Sequence, residues 1–185
     1  MADESEPSPR FVVQIHDARR MHFDFRLEVD GVLKSWAVPN GPSDDPRDRR
    51  LAVPTEDHEL GYREFEGVIP AGQYGSGTVI VWDQGTYTPL GHDKAGRPVP
   101  FTESLARGHA TFRLHGTKLR GEFALIRFRA GGEGPGKEAW LLIKAKDGLE
   151  VRDRPGSPDP HHARSARTGR TLRQVAAASA VRGTP

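Results

Sequence analysis

Apolar and polar residues alternate one by one near the start of this chain. Val13 and Ile15 alternate with Gln14 and His16, and from His22 the order is polar, apolar, polar, apolar through Phe23, Asp24, Phe25, Arg26, Leu27, Glu28 and Val29. Strand side chains point to opposite faces with a period of two. His22, Asp24, Arg26 and Glu28 therefore share one face, and Phe23, Phe25, Leu27 and Val29 the other. A connection over residues 17 to 21 joins the two strands as a hairpin whose faces match. That register sets His16 opposite His22 and Gln14 opposite Asp24, with Ile15 against Phe23 and Val13 against Phe25.

Similar short segments follow. Asp30-Gly31 reads as a tight turn into a strand from Val32 to Val38, and Pro39 to Pro46 as a loop. Leu51 to Pro54 reads as a strand, and Thr55 with Glu59 as the cap of a short helix through Tyr62 and Phe65. Gly67 to Gly77 has the glycines of a phosphate-cradling loop. It lacks the Lys-Ser/Thr ending and leads into a strand, Thr78 to Trp82, so it reads as a structural turn. Asp83-Gln84-Gly85 reads as a hairpin turn into Thr86 to Thr88. Phe101 to Arg107 is a helical stretch. Ala110 to His115, Gly121 to Phe128 and Glu138 to Ala145 are strands, with a Gly-rich connection at 130 to 137 expected to be mobile. About eight short strands separated by turns predict a mainly β fold, an antiparallel barrel or sandwich with short helices beside it.

Composition refines this picture. A chain of 185 residues can build one domain with a real core, and 21 Gly with 15 Pro suit a turn-rich β protein. The expected organisation is an N-terminal stretch 1–9 outside the fold, a β-barrel domain 10–153 and a basic flexible tail 154–185. In that tail Arg164, Arg167, Arg170 and Arg173 recur every third residue, and Thr171 to Val181 has the makings of a short helix. The arginines suit a nucleic-acid backbone, and a disordered linker suits the composition equally. Net charge is only +2, so bulk charge selects no partner. The absence of cysteine excludes disulfides and thiolate metal sites. Met1 to Pro9 is acidic, with no apolar core, and reads as neither signal peptide nor membrane anchor. A monomeric cytoplasmic protein without membrane contact is the expectation.

The polar hairpin face carries the candidate chemistry. Two imidazoles and a carboxylate at cross-strand distance are a two-His-one-carboxylate set, which can hold a divalent cation and leave positions open for substrate. A surface ladder of ion pairs is the plainer alternative. His58 lies among Glu56, Asp57 and Glu59. Such carboxylates favour its charged form, suited to binding a phosphate oxygen or protonating a leaving group; an exposed loop histidine is the plainer reading. Arg47, Arg49 and Arg50 follow Asp44 and Asp45, either facing phosphate or forming a solvated charge cluster.

Several of these segments together resemble a known family. The stretch Phe11-Val12-Val13-Gln14-x-His16-Asp17-Ala18-x-Arg20-x-His22-x-Asp24-Phe25-Arg26-Leu27-Glu28 is followed by Gly31-Val32-Leu33-Lys34-Ser35-Trp36-Ala37-Val38-Pro39. Glu56-Asp57-His58 and Phe65-Glu66-Gly67-Val68-Ile69-Pro70 come after it. From about residue 10 to about 150 the chain resembles the 3′-phosphoesterase domain of the bacterial end-joining DNA ligase, ligase D, in a stand-alone form. The resemblance implies a small β-barrel with flanking helices and a manganese-dependent enzyme of DNA repair. Such an enzyme removes a 3′-terminal ribonucleoside, and then the 3′-phosphate, from DNA or primer ends to leave a 3′-hydroxyl. By position in the motif, His16, His22 and Asp24 would be metal ligands, and Arg26 and His58 would contact the scissile phosphate. Tyr62 matches a tyrosine important for activity, and Arg50 and Glu56 match supporting positions. Asn40 stands where the family's substrate loop usually has lysine, and the family's N-terminal arm has no counterpart in Met1 to Pro9. DNA 3′ ends are the implied substrate, with Ku and a DNA ligase as candidate partners. No protein nucleophile is evident, so direct attack by water or by a ribose 2′-hydroxyl is expected. Two other classes stay open: a catalytically weakened module that binds DNA ends or repair partners, and a non-haem iron oxygenase with the same ligand types.

Overall fold

The computed structural model of the chain describes residues 7–131, 138–148 and 157–182. Its frame is one antiparallel sheet of nine strands: β1 (Arg10–Asp17), β2 (Met21–Val29), β3 (Val32–Val38), β4 (Arg50–His58), β5 (Gly67–Ile69), β6 (Gly77–Pro89), β7 (His109–Gly116), β8 (Arg120–Ala130) and β9 (Glu138–Lys144). The neighbours run β1-β2-β3-β4-β9-β8-β7-β6, and pairing of β6 with β1 closes these eight strands into a barrel. Strand β5 lies outside the ring on β6. Helices α1 (Phe101–Ala106) and α2 (Leu172–Arg182) and a 3₁₀ helix, Leu60–Glu64, complete the described elements.

The hairpin register is the one that alternation dictates. His16 pairs with His22, Gln14 with Asp24, Ile15 with Phe23 and Val13 with Phe25. Asp30 and Gly31, both at positive φ, make the turn between β2 and β3. The apolar faces fill the barrel. Phe11, Val13, Ile15, Phe25 and Leu27 are buried and join Phe112 and Phe123, whose rings stack 6.4 Å apart at 10°. Burying such side chains stabilises the fold by about 1.5–3 kcal/mol each. The polar face of the same hairpin is thereby left on the outside of the barrel wall.

Three sequence expectations change. Asp83-Gln84-Gly85 is no hairpin turn, because β6 runs unbroken from Gly77 to Pro89 and pairs with β1 from Thr78 to Thr86, with one register shift between Val81 and Asp83. On its other edge β6 changes partner, from β5 at Gly77 to Val79 to β7 at Gly85 to Pro89. The turn-like residues serve that exchange. Asp83 accepts backbone hydrogen bonds from Thr117, Lys118 and Leu119 at the β7–β8 turn. Gly85 admits the His115 carbonyl, which a Cβ would meet at 2.1 Å. Thr55 caps no helix: it lies inside β4 opposite Ser35, and the 3₁₀ helix starts after Glu59 without a side-chain cap.

The C-terminal segment also packs where composition suggested a tail outside the core. Ala163, Leu172 and Val175 are buried in the core cluster. Between its two partners, β6 exposes the Val81 peptide on one edge. Glu66 accepts from its N–H at 2.9 Å, and Ala166 N–H donates to its carbonyl at 2.8 Å. Covering an open strand edge removes a site for unwanted pairing. Lastly, residues 1–6 of the expected N-terminal stretch and most of the Gly-rich connection 130–137 lie outside the described residues.

Candidate active site

The outer face of the β1–β2 hairpin places His16 on β1 beside His22 and Asp24 on β2. One ligand atom from each lies within 4.8 Å of the others. His22 Nε2 is 3.2 Å from Asp24 Oδ1 and His16 Nδ1 is 3.8 Å from Asp24 Oδ2. The remaining ring nitrogens face backbone carbonyls: His22 Nδ1 is 2.9 Å from Arg20 O and His16 Nε2 is 3.1 Å from Ser76 O. A carbonyl can only accept, so in the neutral rings these contacts favour the tautomers with the lone pairs of His22 Nε2 and His16 Nδ1 toward Asp24, whereas protonated His22 also donates from Nε2 to Asp24. Such outer-sphere orientation is what metal-binding imidazoles require. The donor set of two nitrogens and a carboxylate fits a divalent first-row cation. The loop after β5, which has the glycines of a phosphate cradle, meets the site through the Ser76 carbonyl.

Burial and charge tune this group. Burial pushes the Asp24 carboxyl up, but the His22 hydrogen bond and the neighbouring Arg26, His22 and His16 more than offset it and hold the pKa below its ordinary value. Burial pulls His22 down, yet its bond to Asp24 leaves the pKa raised above 6.5.

Arg26 is buried beneath the triad and its fork is largely committed to protein partners. Nε donates to Gln14 Oε1 at 2.7 Å, Nη1 donates to Ser35 Oγ at 2.7 Å, and Nη2 is 3.3 Å from Asp24 Oδ2. Nη1 also lies 3.0 Å from His58 Nδ1. Gln14 in turn donates from Nε2 to the carbonyls of Tyr62 and Phe65 at 3.0 and 3.1 Å. One buried amide thus ties the arginine to the 3₁₀ helix that carries Tyr62. The Tyr62 ring lies 4.7 Å from the His58 ring, stacks on Phe65 at 5.1 Å and 11°, and has the Arg26 guanidinium 5.1 Å from its centroid.

His58 behaves opposite to the sequence expectation. Its pKa is lowered, first by burial and then by the Arg26 charge. The flanking carboxylates do not decide the balance. Asp57 pairs with Lys34 at 3.0 Å, and Glu56 offers His58 Nδ1 its carbonyl at 3.0 Å while its side chain is exposed. His58 is therefore mainly neutral at pH 7.

The structure brings His16, His22, Asp24, Arg26, His58 and Tyr62 together in one patch. Asn40 is exposed in the loop after β3, and Arg50 pairs with Asp48 at 3.4 Å. Gln14 and Ser35 are the members that residue type alone did not single out. Their signal is positional: Gln14 precedes His16 by two on the same strand face, and Ser35 is the β3 partner of Arg26.

The chain is similar in sequence to known proteins. Residues 14–127 match the family model described as the DNA Ligase D 3′-phosphoesterase domain. The chain is 53% identical over 139 residues to the multifunctional non-homologous end joining protein LigD of Pseudomonas aeruginosa. That match covers 75% of this chain and 15% of the relative. It is 52% identical over 138 residues to the multifunctional non-homologous end joining DNA repair protein LigD of Mycobacterium tuberculosis, covering 74% and 16%. It is 40% identical over 150 residues to the LigD of Mycolicibacterium smegmatis, covering 80% and 18%. Each match thus spans less than a fifth of the relative's length. The family match includes the whole polar hairpin face from Gln14 to Glu28 together with His58 and Tyr62, and the chain belongs to the DNA Ligase D 3′-phosphoesterase domain family.

Proposed function

We propose that the chain is a metal-dependent DNA 3′-end-processing phosphoesterase, removing a 3′-terminal ribonucleoside, a 3′-phosphate or both to leave a 3′-hydroxyl. One observation carries this reading: in a member of this family, His16, His22 and Asp24 converge within 4.8 Å beside Arg26, His58 and Tyr62. His16 Nδ1, His22 Nε2 and the Asp24 carboxylate would hold a divalent cation, with manganese the expected ion. Bound there, the cation supplies Lewis-acid polarisation of a phosphoryl oxygen and offsets developing negative charge.

The chain's own residues do the rest. Arg26 is fixed by Gln14 and Ser35, so its positive charge is aimed before substrate arrives, and preorganised charge needs no rearrangement in the transition state. With three of its five N–H groups engaged by Gln14, Ser35 and Asp24, and a fourth when His58 Nδ1 accepts, it acts on the phosphate through charge and one or two direct bonds. His58 Nδ1 sits between a donor and an acceptor: donating to the Glu56 carbonyl frees Nε2 to take a proton from an attacking water or ribose 2′-hydroxyl, whereas accepting from Arg26 Nη1 leaves an Nε2–H to give to the leaving oxygen. Tyr62 walls the patch and keeps its phenolic proton, since burial raises its pKa. Arg50, Glu56 and Asn40 are assigned supporting roles at the rim. DNA or primer-template ends are the proposed substrate, and Ku and a DNA ligase the proposed partners, in the cytoplasm. Among the described residues no helix is long and apolar enough to cross a membrane.

The test is incubation with a 3′-phosphate primer and a 3′-ribonucleotide primer, with and without manganese. A metal-dependent 3′-hydroxyl product supports the proposal. No product from either substrate, alongside tight DNA binding, would replace it with a binding module. Trapping of a phosphohistidine at residue 58 would overturn direct attack by water or hydroxyl.

A further inference from the structure

Beside His58 and Tyr62 a depression of about 550 Å³ opens, bordered also by Glu59, Glu64, Phe65 and Arg167. Five of these six residues come from the end of β4 and the 3₁₀ region. The sixth comes from the C-terminal segment, which lies beyond the residues matched by the family model. Arg167 is exposed, yet its place is tightly built. Its guanidinium donates to the Glu64 carbonyl through Nη1. The loop that carries it is held at both ends: Ser165 Oγ accepts from the backbone N–H of Arg167 and of Thr168, Ser165 N–H donates to Arg170 O, and Gly169 N–H donates to Ser165 O. Ala166 N–H joins the loop to β6, and Thr168 Oγ1 donates to Glu66 Oε2 at 2.5 Å. These bonds fix a loop whose exposed arginine keeps most of its N–H groups for another partner.

The lining defines the occupant. An arginine fork matches a phosphate. Glu59 and Glu64 repel a bare polyanion but accept hydrogen bonds from sugar hydroxyls, and the Tyr62 and Phe65 rings offer apolar surface to a base. A nucleotide combines these three chemistries, and the volume falls in the range of ligand pockets. We propose that this depression binds the nucleotide on the 5′ side of the scissile phosphate, with Arg167 holding the phosphodiester that links that nucleotide to the rest of the strand. This assignment rests on the proposed function and adds a substrate contact from the C-terminal segment.

The experiment compares wild type with R167A on two single-stranded oligonucleotides ending in a 3′-phosphate, in manganese. One carries phosphodiesters throughout. The other has an uncharged methylphosphonate at the linkage on the 5′ side of the terminal nucleoside. The expected result on the first is a KM about tenfold higher in R167A with kcat retained, and a salt dependence of affinity shallower by about one counterion. On the second, the two proteins should coincide. An unchanged KM on the first substrate, or an equal rise on both, would overturn the proposal and leave Arg167 as a strut. R167Q is measured in parallel, and thermal melts of both variants exclude unfolding as the cause. If wild type turns over neither substrate, the phosphoesterase reading fails and fluorescence anisotropy with the same oligonucleotides decides the subsite separately. A tenfold weaker affinity of R167A for the all-phosphate strand alone supports it, and equal affinities overturn it.

Discussion

Replacing Gln14 tests whether the patch is held as one unit. Gln14 is fully buried and makes three bonds: it accepts from Arg26 Nε at 2.7 Å and donates to the carbonyls of Tyr62 and Phe65. Gln14→Leu keeps the bulk and removes all three. A buried cationic donor left without an acceptor costs about 1.5–3 kcal/mol, and each partly wetted carbonyl about 1 kcal/mol. The expected total is about 3–5 kcal/mol. With an m-value of about 2 kcal/mol/M in urea, the midpoint should fall by about 1.5–2.5 M at unchanged m. Gln14→Glu separates the two halves of the role. It keeps an oxygen for Arg26 but sets a carboxylate against two carbonyls, so the 3₁₀ helix should detach while the arginine stays fixed. Phosphoesterase activity should then drop at least tenfold although manganese affinity, followed by calorimetry, stays near that of wild type. A urea midpoint of Gln14→Leu within about 0.3 M of wild type, or full activity of Gln14→Glu, would refute the reasoning.

Three further outcomes are expected. Manganese at about a hundred times its Kd should stabilise the wild type by about 2.7 kcal/mol and raise Tm by about 5–10 °C; Asp24→Asn should abolish the shift in a melting scan. His58 has a folded pKa below 6.5, so between that value and 6.5 the unfolded chain binds more protons than the native one. In metal-free protein the His58 contribution to stability should therefore rise with pH through that window and level off above 6.5. His58→Gln should flatten this rise in urea titrations at stepped pH, whereas His22, whose pKa is raised, adds a slope of opposite sign above 6.5. Asp83→Ala should cost about 3–5 kcal/mol by stranding the N–H groups of Thr117, Lys118 and Leu119, leaving activity per folded molecule unchanged; equal loss of activity would place Asp83 in the site.

Strand parity made the site partly legible before any coordinates. Matching the faces of residues 13–16 and 22–29 yields the observed pairing of His16 with His22, because a slip by one residue would bury His22 and expose Phe23. Gln14 and Ser35 escaped because a buried amide and a serine advertise no chemistry until the partners across the sheet and the 3₁₀ helix are known. Asp83-Gln84-Gly85 misled because the composition that turns a chain also suits a strand that changes partner in mid-course. The C-terminal segment was read as a tail because only a few apolar anchors, Ala163, Leu172 and Val175, interrupt its arginines. His58 was misjudged for a related reason: sequence shows its acidic neighbours, whereas the burial that lowers its pKa most and the Arg26 charge that adds to it come from the fold.

The closed ring has a consequence for the order in which the site matures. His16, His22 and Asp24 belong to one local hairpin, which needs little loop entropy to form. The contacts that hold them still come from far along the chain: β6 seals the other edge of β1, and β9 joins β4 to complete the circle. During synthesis from the N-terminus this hairpin therefore emerges early and stays pliable until β9 has docked. The three side chains are brought near one another before they are held in one geometry, and the interval between the two is set by barrel closure.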